Sequence, residues 1–385
     1  MPDLPAHRPT WAEINLDNLV HNYMVSRAAM GPGVAIMPAV KADAYGHGAI
    51  ECARSLEAAG AGWFGVALPE EGLALRNAGV KAPILSLGGF WEGQEESIIA
   101  HRLTPAIFRL DLLDRLNRAA RASKRVVDYH LKIDTGMGRL GVPFAGLNYF
   151  LDNIAGFENV RLDGVMTHLA SADNRDNHEF TEQQMSLFEQ AVALVRFRGH
   201  KPRWVHEANS AGAHAYPSSR GNLVRLGGVL YGLWRDVTDR SIEPLDWRPV
   251  MSLRARIVLL KTVPAGAPIG YAGTFVTARD SRIATLAIGY EDGLRRGLSN
   301  QGKVIVREQL APIVGRVSMD LTLVDVTEVK DATLGDEAVI IGRQGSIGIT
   351  AEEIATQVGS ISYEMTCGIS DRVQRKYIQT SNPVT

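Results

Sequence analysis

The run "AIMPAVKADAYGHG", Ala35 to Gly48, opens on apolar residues that read as a buried strand and ends that strand on Lys41. It then breaks into a turn holding Tyr45, Gly46, His47 and Gly48. A buried ammonium is costly unless it is paired, deprotonated or covalently used. The next stretch, "GAIECARSLEAAG", puts Ile50, Ala53 and Leu56 at helical spacing, with Gly60 as a stop. The first unit is therefore strand, turn, helix. No G-x-G-x-x-G opens that helix, which argues against an open dinucleotide-binding sheet.

The unit recurs outward from there. Apolar runs "AIMPAVKA", "WFGVAL", "PILSLG", "LTPAIF", "VDYHLKID", "LDGVMTH", "WVHEAN" and "NLVRLGG" alternate with helical segments. Of these segments, "PEEGLALRNAG" has Pro69 at an early position and Gly79 at its end. Another opens with "TEQQ", where Thr181 and Gln184 have capping-box spacing. Eight alternations predict a (β/α)8 barrel over residues 1–245, with an open doubly wound sheet as the alternative. The pattern then changes. "MSLRARIVLLKTV", "SRIATLAIGY", "GKVIVR", "APIVGRV", "LTLVDV" and "EAVIIG" read as strands, interrupted by one clear helix, "TAEEIATQVG", with a Thr350/Glu353 capping box. Residues 246–385 are therefore expected to form a mainly-β domain. The early run "WAEINL" could pair with either part.

Composition excludes several classes. The 385 residues carry a net charge of −1 and 45% hydrophobic content, without a basic cluster for nucleic acid or an anionic membrane. No apolar run approaches bilayer length, and the N-terminus does not read as a signal peptide. Two distant cysteines, Cys52 and Cys367, suggest neither a disulfide framework nor a metal site. A cytoplasmic setting is expected.

In such a barrel the chemistry collects where the strands end. Those ends supply Lys41; Lys132 and Asp134 with "TGMGRLG"; His168; Asn209 and Ser210; and Arg225 with Gly227 and Gly228. Taken singly, most of these would be ion-pair or core residues. Their convergence on one rim is what points to a site. Ser210 and the Gly227–Gly228 pair stand where these barrels bind phosphate through a hydroxyl and backbone N–H groups. A phosphate there, with a lysine at strand one across the mouth, is the layout of a pyridoxal phosphate site.

At this point the motifs resemble the bacterial alanine racemases. "AVKADAYGHG", "HLKIDTGMGRLG", "MTHLASAD", "ANSAG", "RLGGVLYG", "GYAGTF", "IGYEDGLRR", "IVGRVSMD" and "ISYEMTCGISDRV" occur in the family's order across nearly the whole chain. The resemblance implies an isomerase that interconverts L- and D-alanine with pyridoxal 5'-phosphate, serving peptidoglycan synthesis or D-alanine catabolism. It implies Lys41 as the covalent cofactor holder and one catalytic base, and Tyr271 as the second base. Tyr45, Asn209, Ser210, Gly227, Gly228 and Tyr363 would bind the cofactor, mainly at its phosphate. His168 would pack on the ring, Arg225 face the ring nitrogen, and Arg139 face the phenolic oxygen and the substrate. Lys132 matches a position often carbamylated in the family. Met319 would join Tyr271 from the partner subunit of a homodimer, and Tyr290 and Tyr363 would narrow the entrance. Three small departures stand out: Ala211–Gly212 where two alanines are usual, Gly228 where a larger aliphatic is common, and Ser318 where cysteine is common.

Racemisation needs two acid–base groups on opposite faces of Cα, or one that moves. A lysine at strand one and a tyrosine from elsewhere meet the first condition, with Lys41 serving the D-isomer and Tyr271 the L-isomer. Rival readings are a serine or broader-specificity racemase, a decarboxylase of the same two-part plan, and a non-catalytic cofactor carrier. Tyr363 favours alanine over serine. Arg225, where a decarboxylase usually places a carboxylate, argues against the second rival. A β-rich domain carrying a second base argues against the third.

Overall fold

The computed structural model describes residues 8–236, 238 and 245–379. Strand β1 (Thr10–Asn15) is followed by an alternating series: β2 (Ala35–Pro38), β3 (Phe64–Val66), β4 (Ile84–Ser86), β5 (Leu103–Ile107), β6 (Val127–Asp134), the two-residue β7 (Val142–Pro143), β8 (Val160–Met166), β9 (Trp204–His206) and β10 (Leu223–Leu226). Contacts divide the chain into one compact unit, Leu19–Trp247, and a second made of Met1–Asn18 and Arg248–Thr385.

In the first unit β3, β4, β5, β6, β8 and β9 pair in parallel, and β10 pairs in parallel with β2. Two seams close the ring. Ala39 bridges Gly65 beyond β2, and Val40 N–H donates to Gly65 at 2.8 Å. On the other side Asn222 N–H reaches Val205 and Arg225 N–H reaches Ala208. The expected eight-stranded barrel is present. Both faces of its strands are covered, which is why β3, β4 and β5 are buried at every residue and read as continuous apolar runs. Met37, Trp63, Leu85, Ala106, Met166 and Leu223 form a shared core cluster. Burying each of its leucine and methionine side chains contributes roughly 1.5–3 kcal/mol.

The helices follow their apolar spacing, with two corrections. Leu110–Ala122 buries Leu112, Leu113, Leu116 and Ala120, one face of a helix. Pro69–Asn77 begins with Pro69 in its first turn, and Gly79 follows its end with φ +93°. Ala49–Ala58 buries Cys52, Ala53 and Leu56, whereas Ile50 is exposed, because the buried stripe begins two residues later than expected. The Thr181–Gln184 capping box is absent. The helix starts earlier, at His178, so both residues lie inside it and are buried. The Thr181 hydroxyl donates back to Asn177 O at 3.3 Å, and Gln184 turns to the loop carrying His168.

The second unit holds β11 (Met251–Val263), β12 (Pro268–Ile269), β13 (Phe275–Val276), β14 (Ser281–Leu286), β15 (Lys303–Val306), β16 (Gln309–Pro312), β17 (Thr322–Asp325), β18 (Glu337–Gln344), β19 (Ile347–Ile349) and β20 (Gln374–Ile378). β1 belongs here: it runs antiparallel to β11 and parallel to β20. The Thr350/Glu353 capping box forms, with Thr350 Oγ1 accepting from Glu353 N–H at 3.1 Å and Glu353 accepting from Thr350 N–H at 2.7 Å. Two expectations fail. "APIVGRV" stays paired as far as Ile313, which bridges Val324, and Val314, whose N–H donates to Leu323 O; Gly315, with φ +73°, then turns the chain out of the sheet before "RV". A second helix, Ser362–Cys367, also appears, too short for periodicity to reveal.

Candidate active site

Strand β2 delivers Lys41 to the barrel mouth, and the chain then does something costly. Ala42, Asp43, Ala44 and Tyr45 all have φ between +51° and +56°, a left-handed helical turn built without glycine. Each such residue costs roughly 1–2 kcal/mol. The surroundings hold it. Ala42 N–H donates to Glu71 Oε1 at 2.6 Å, and Asp43 accepts from Ala49 N–H at 2.7 Å. His47 Nδ1 lies 2.9 Å from Ala44 O, and the Tyr231 hydroxyl donates to Ala39 O at 2.9 Å. Tyr231 is fully buried and packs its ring against both Tyr45 and His47.

Tyr45 ends that turn with its hydroxyl against Gly227: a Cβ at Gly227 would sit 2.3 Å from the phenolic oxygen. The Gly227 N–H donates to Ser210 Oγ at 2.9 Å, and Gly228 opens the next turn, fully enclosed. Backbone N–H, hydroxyl and phenol thus meet at one point where only glycine fits, a cradle suited to an anion. Asn209 stands beside it, its side chain accepting from Gly212 N–H and donating to Leu169 O.

Period two along β6 places His130, Lys132 and Asp134 on the face that looks into the barrel. Asp134 accepts from Gly136 and Gly138 N–H, which shapes the turn bearing the exposed Arg139. Lys132 is buried and donates to Leu87 O at 3.3 Å. Burial, then the charges of Arg225, Arg139 and Lys41, bring its amine down to about 8. His168 is held well below the usual imidazole range by burial and by the Arg225, Arg139, Lys132 and Lys41 charges. Lys41, Lys132, Arg139, His168 and Arg225 therefore act on one another at a single mouth.

Arg225 is the most confined of them. Its Nη1 donates to His206 Nδ1 at 2.9 Å and to His206 O at 3.1 Å. Its Nη2 donates to Thr167 O at 2.7 Å and Glu207 O at 2.8 Å, and lies 3.4 Å from His168 Nδ1. Among the described residues nothing accepts from Nε. Burial lowers the guanidinium to about 10, against the opposing pull of Glu207, so it stays charged at neutral pH. Because Arg225 only donates, His206 carries its proton on Nε2 and gives it to His130 Nδ1 at 2.8 Å. Burial, then the Arg225 and Arg203 charges, push His130 down to about 3. The sequence reading omitted His206, His130, Tyr231, Glu71 and Gln184. Two of them carried a signal: His130 stands two residues before Lys132, and His206 ends strand β9.

The remaining four expected residues lie in the second unit. Tyr271 sits in the loop of the β12–β13 hairpin, 70% exposed. Met319 is 51% exposed and Tyr290 39%. Their two loops interlock: Tyr290 N–H donates to Ser318 O and Glu291 N–H to Met319 O, while Gly289 passes so close that a Cβ would lie 2.2 Å from Met319 O. Buried Asp292 braces them, accepting from Gly289 N–H at 2.8 Å and Arg8 at 3.0 Å. Tyr363 lies half-buried in the helix Ser362–Cys367. Among the described residues no group of His, Cys, Asp and Glu could hold a metal ion, and no helix is long and apolar enough to cross a membrane.

The chain matches two family models, alanine racemase N-terminal domain over residues 14–234 and alanine racemase C-terminal domain over residues 250–377. It is 45% identical over 363 residues to an alanine racemase of Syntrophobacter fumaroxidans, covering 94% of this chain and 95% of that one. The crystal structure of alanine racemase from D-cycloserine-producing Streptomyces lavendulae is 34% identical with a TM-score of 0.91, covering 97% of this chain and 98% of that one. Alanine racemase from Bartonella henselae with covalently bound pyridoxal phosphate is 29% identical with a TM-score of 0.85, covering 97% of this chain and all of that one.

Proposed function

The chain belongs to the alanine racemase family, and from that premise we propose how its residues divide the family's reaction, the pyridoxal phosphate-dependent interconversion of L- and D-alanine. The observation that carries the reading is the single mouth at which Lys41 and Arg225 act on the same neighbours, beside the cradle of Ser210, Gly227 and Tyr45.

The residues fit the cofactor. A phosphate needs several donors and no bulk, and the Gly227 cradle provides both. A pyridine nitrogen needs one donor, and Arg225 Nε is the guanidinium N–H without an acceptor among the described residues. Lys41, three residues past the end of β2, would hold the aldehyde carbon, and Tyr363 would join the phosphate donors. When bound, the cofactor makes the Cα–H bond of alanine acidic by withdrawing electrons.

The protein does the rest. Lys41 takes or gives the Cα proton on one face and Tyr271 on the other, so each enantiomer meets a base and leaves by an acid. Arg225 donates to the ring nitrogen but has no proton to give up near neutrality. By leaving that nitrogen unprotonated, Arg225 would keep the group a moderate electron sink and so favour return of the proton to Cα over return to another carbon. His168, beside Arg225, packs on the ring and orients Tyr271. Lys132, with its amine brought down to about 8, has the neutral form that carbamylation requires, and once carbamylated it orients Arg139. Arg139 and the Met319 backbone take the substrate carboxylate. Tyr271 and Met319 come from a second copy of the chain, making a homodimer the active species, and Tyr290 with Tyr363 narrows the way in.

Borohydride reduction of the purified protein, followed by peptide mapping, tests the assignment alongside an assay of L- and D-alanine interconversion. The label is expected on Lys41 with loss of activity. A label on Lys132 or any other lysine rejects it.

A further inference from the structure

The left-handed turn after Lys41 needs an explanation, because four consecutive residues without glycine do not hold that conformation unaided. A side chain from another element hydrogen-bonds its first peptide. Glu71, third residue of the helix Pro69–Asn77, places Oε1 2.6 Å from Ala42 N, the first peptide after Lys41. Its Oε2 accepts from Ala67 N–H at 2.6 Å and Leu68 N–H at 3.2 Å, at the end of β3. One carboxylate therefore takes three N–H groups from two neighbouring rim segments and ties β2's exit to β3's exit. Its neighbour Glu70 does not: that carboxylate points to Gln94, accepting from its amide at 2.6 Å.

We propose that Glu71 is a positioning residue for Lys41, bridging the end of β3 to the first peptide of the left-handed turn and so fixing where the lysine amine enters the barrel mouth. The inference rests on Lys41 being the cofactor lysine. A carboxylate is suited to the task because it accepts at both oxygens without reorienting, whereas an amide of the same shape presents donors at one end. Misplacing a reacting group by about 1 Å costs on the order of a hundredfold in rate. The loss should fall on the steps Lys41 performs and spare those of the second base.

The test compares Glu71→Gln, Glu71→Ala and the control Glu70→Gln with the parent, all as full-length protein. Three readouts are used: uptake of pyridoxal phosphate by the apoprotein followed by absorbance, kcat and KM in both directions, and the kinetic isotope effect with α-deuterated substrate. Glu71→Ala is expected to slow cofactor capture about tenfold and lower kcat about 10- to 100-fold, with KM changed less than about threefold. The isotope effect should rise for deuterated D-alanine, whose proton Lys41 removes, and stay constant for deuterated L-alanine. Glu71→Gln should lie between, and Glu70→Gln should match the parent. If Glu71→Ala does not fold, the Glu71→Gln result decides. Parental capture rate and isotope effects in the Glu71 variants overturn the proposal, as does an equal change in the isotope effect for both deuterated enantiomers, which a general loss of structure would produce. A borohydride label away from Lys41 in the parent overturns the underlying assignment instead, so the two failures are distinguishable.

Discussion

The barrel mouth and the loops of the second unit hold the residues proposed for the two halves of the chemistry under opposite conditions. At the mouth Arg225 is buried, with both terminal nitrogens engaged by imidazole and carbonyl acceptors, and the backbone on either side of Lys41 is held by side chains from other elements, Ala39 O by Tyr231 and Ala42 N–H by Glu71. In the second unit the loop backbones are locked, yet Tyr271 and Met319 present more than half their surface to solvent. On the proposed reading, folding alone completes the binding and electrostatic half of the site. The loops carrying the proposed second base have hydrogen-bonded backbones and exposed side chains, which the proposed pairing with another copy would cover.

Substitutions should separate the two regions. Lys41→Ala is expected to lower racemisation by about ten-thousand-fold or more, because it removes both the covalent anchor and one base. Tyr271→Phe should lower it by about 10^2- to 10^4-fold, with kcat/KM falling equally in both directions because the same phenol is base in one and acid in the other. Its unfolding free energy should stay within about 0.5 kcal/mol of the parent, since an exposed phenol contributes little to folding. A large loss of stability in Tyr271→Phe, read by urea denaturation, would break the contrast.

Arg225→Glu should act at both levels. It replaces a donor set with a buried carboxylate facing carbonyl oxygens and is expected to cost about 3–5 kcal/mol of stability. It also offers the ring nitrogen a partner that favours its protonated form, so transamination should rise relative to racemisation. The ratio of the two products, insensitive to the folded fraction, is the measurement. An unchanged ratio counts against the role given to Arg225.

The buried imidazoles give the barrel unit an acid sensitivity. His130 stays neutral in the folded protein down to about 3, but takes up a proton below about 6.5 when unfolded. The unfolded state then binds more protons, so stability is full above pH 6.5 and falls as pH drops, by about 1.4 kcal/mol per pH unit for this group. His130→Gln should lose that much less per unit between pH 6 and 4. Parallel stability profiles for the two proteins would contradict a buried neutral His130.

The smallest effect concerns the turn. Ala42→Gly at φ +51° should stabilise by about 0.5–1 kcal/mol, as glycine accepts that conformation without the Cβ penalty. A destabilised variant would mean that the left-handed turn is not held as described.

The sequence revealed different amounts of the two regions for physical reasons. The barrel was readable because its strands are buried on both faces and its helices carry one apolar stripe, so periodicity and punctuation suffice. The mouth residues were readable because strand ends and period two place them on one rim; His130 follows the same rule. Glu71 and Gln184 were not, because nothing local marks a helical glutamate or glutamine whose partners are backbone groups far away in sequence. Gln184 even resembled a cap, since its spacing from Thr181 fits one and only tertiary packing shows that the helix began earlier. The left-handed turn was hidden for a related reason: "KADAY" contains no glycine to announce it.

Mixing two inactive subunits tests most directly whether the uncovered half serves a second copy. Lys41→Ala and Tyr271→Phe chains, unfolded together and refolded at equal amounts, should form hybrids with one intact site, pairing an unaltered barrel with the other chain's Tyr271. The mixture is predicted to recover about a quarter of parental activity, from half the dimers with one working site each. Activity no higher than the average of the two variants measured separately would mean that each chain builds its site alone, and would contradict the account.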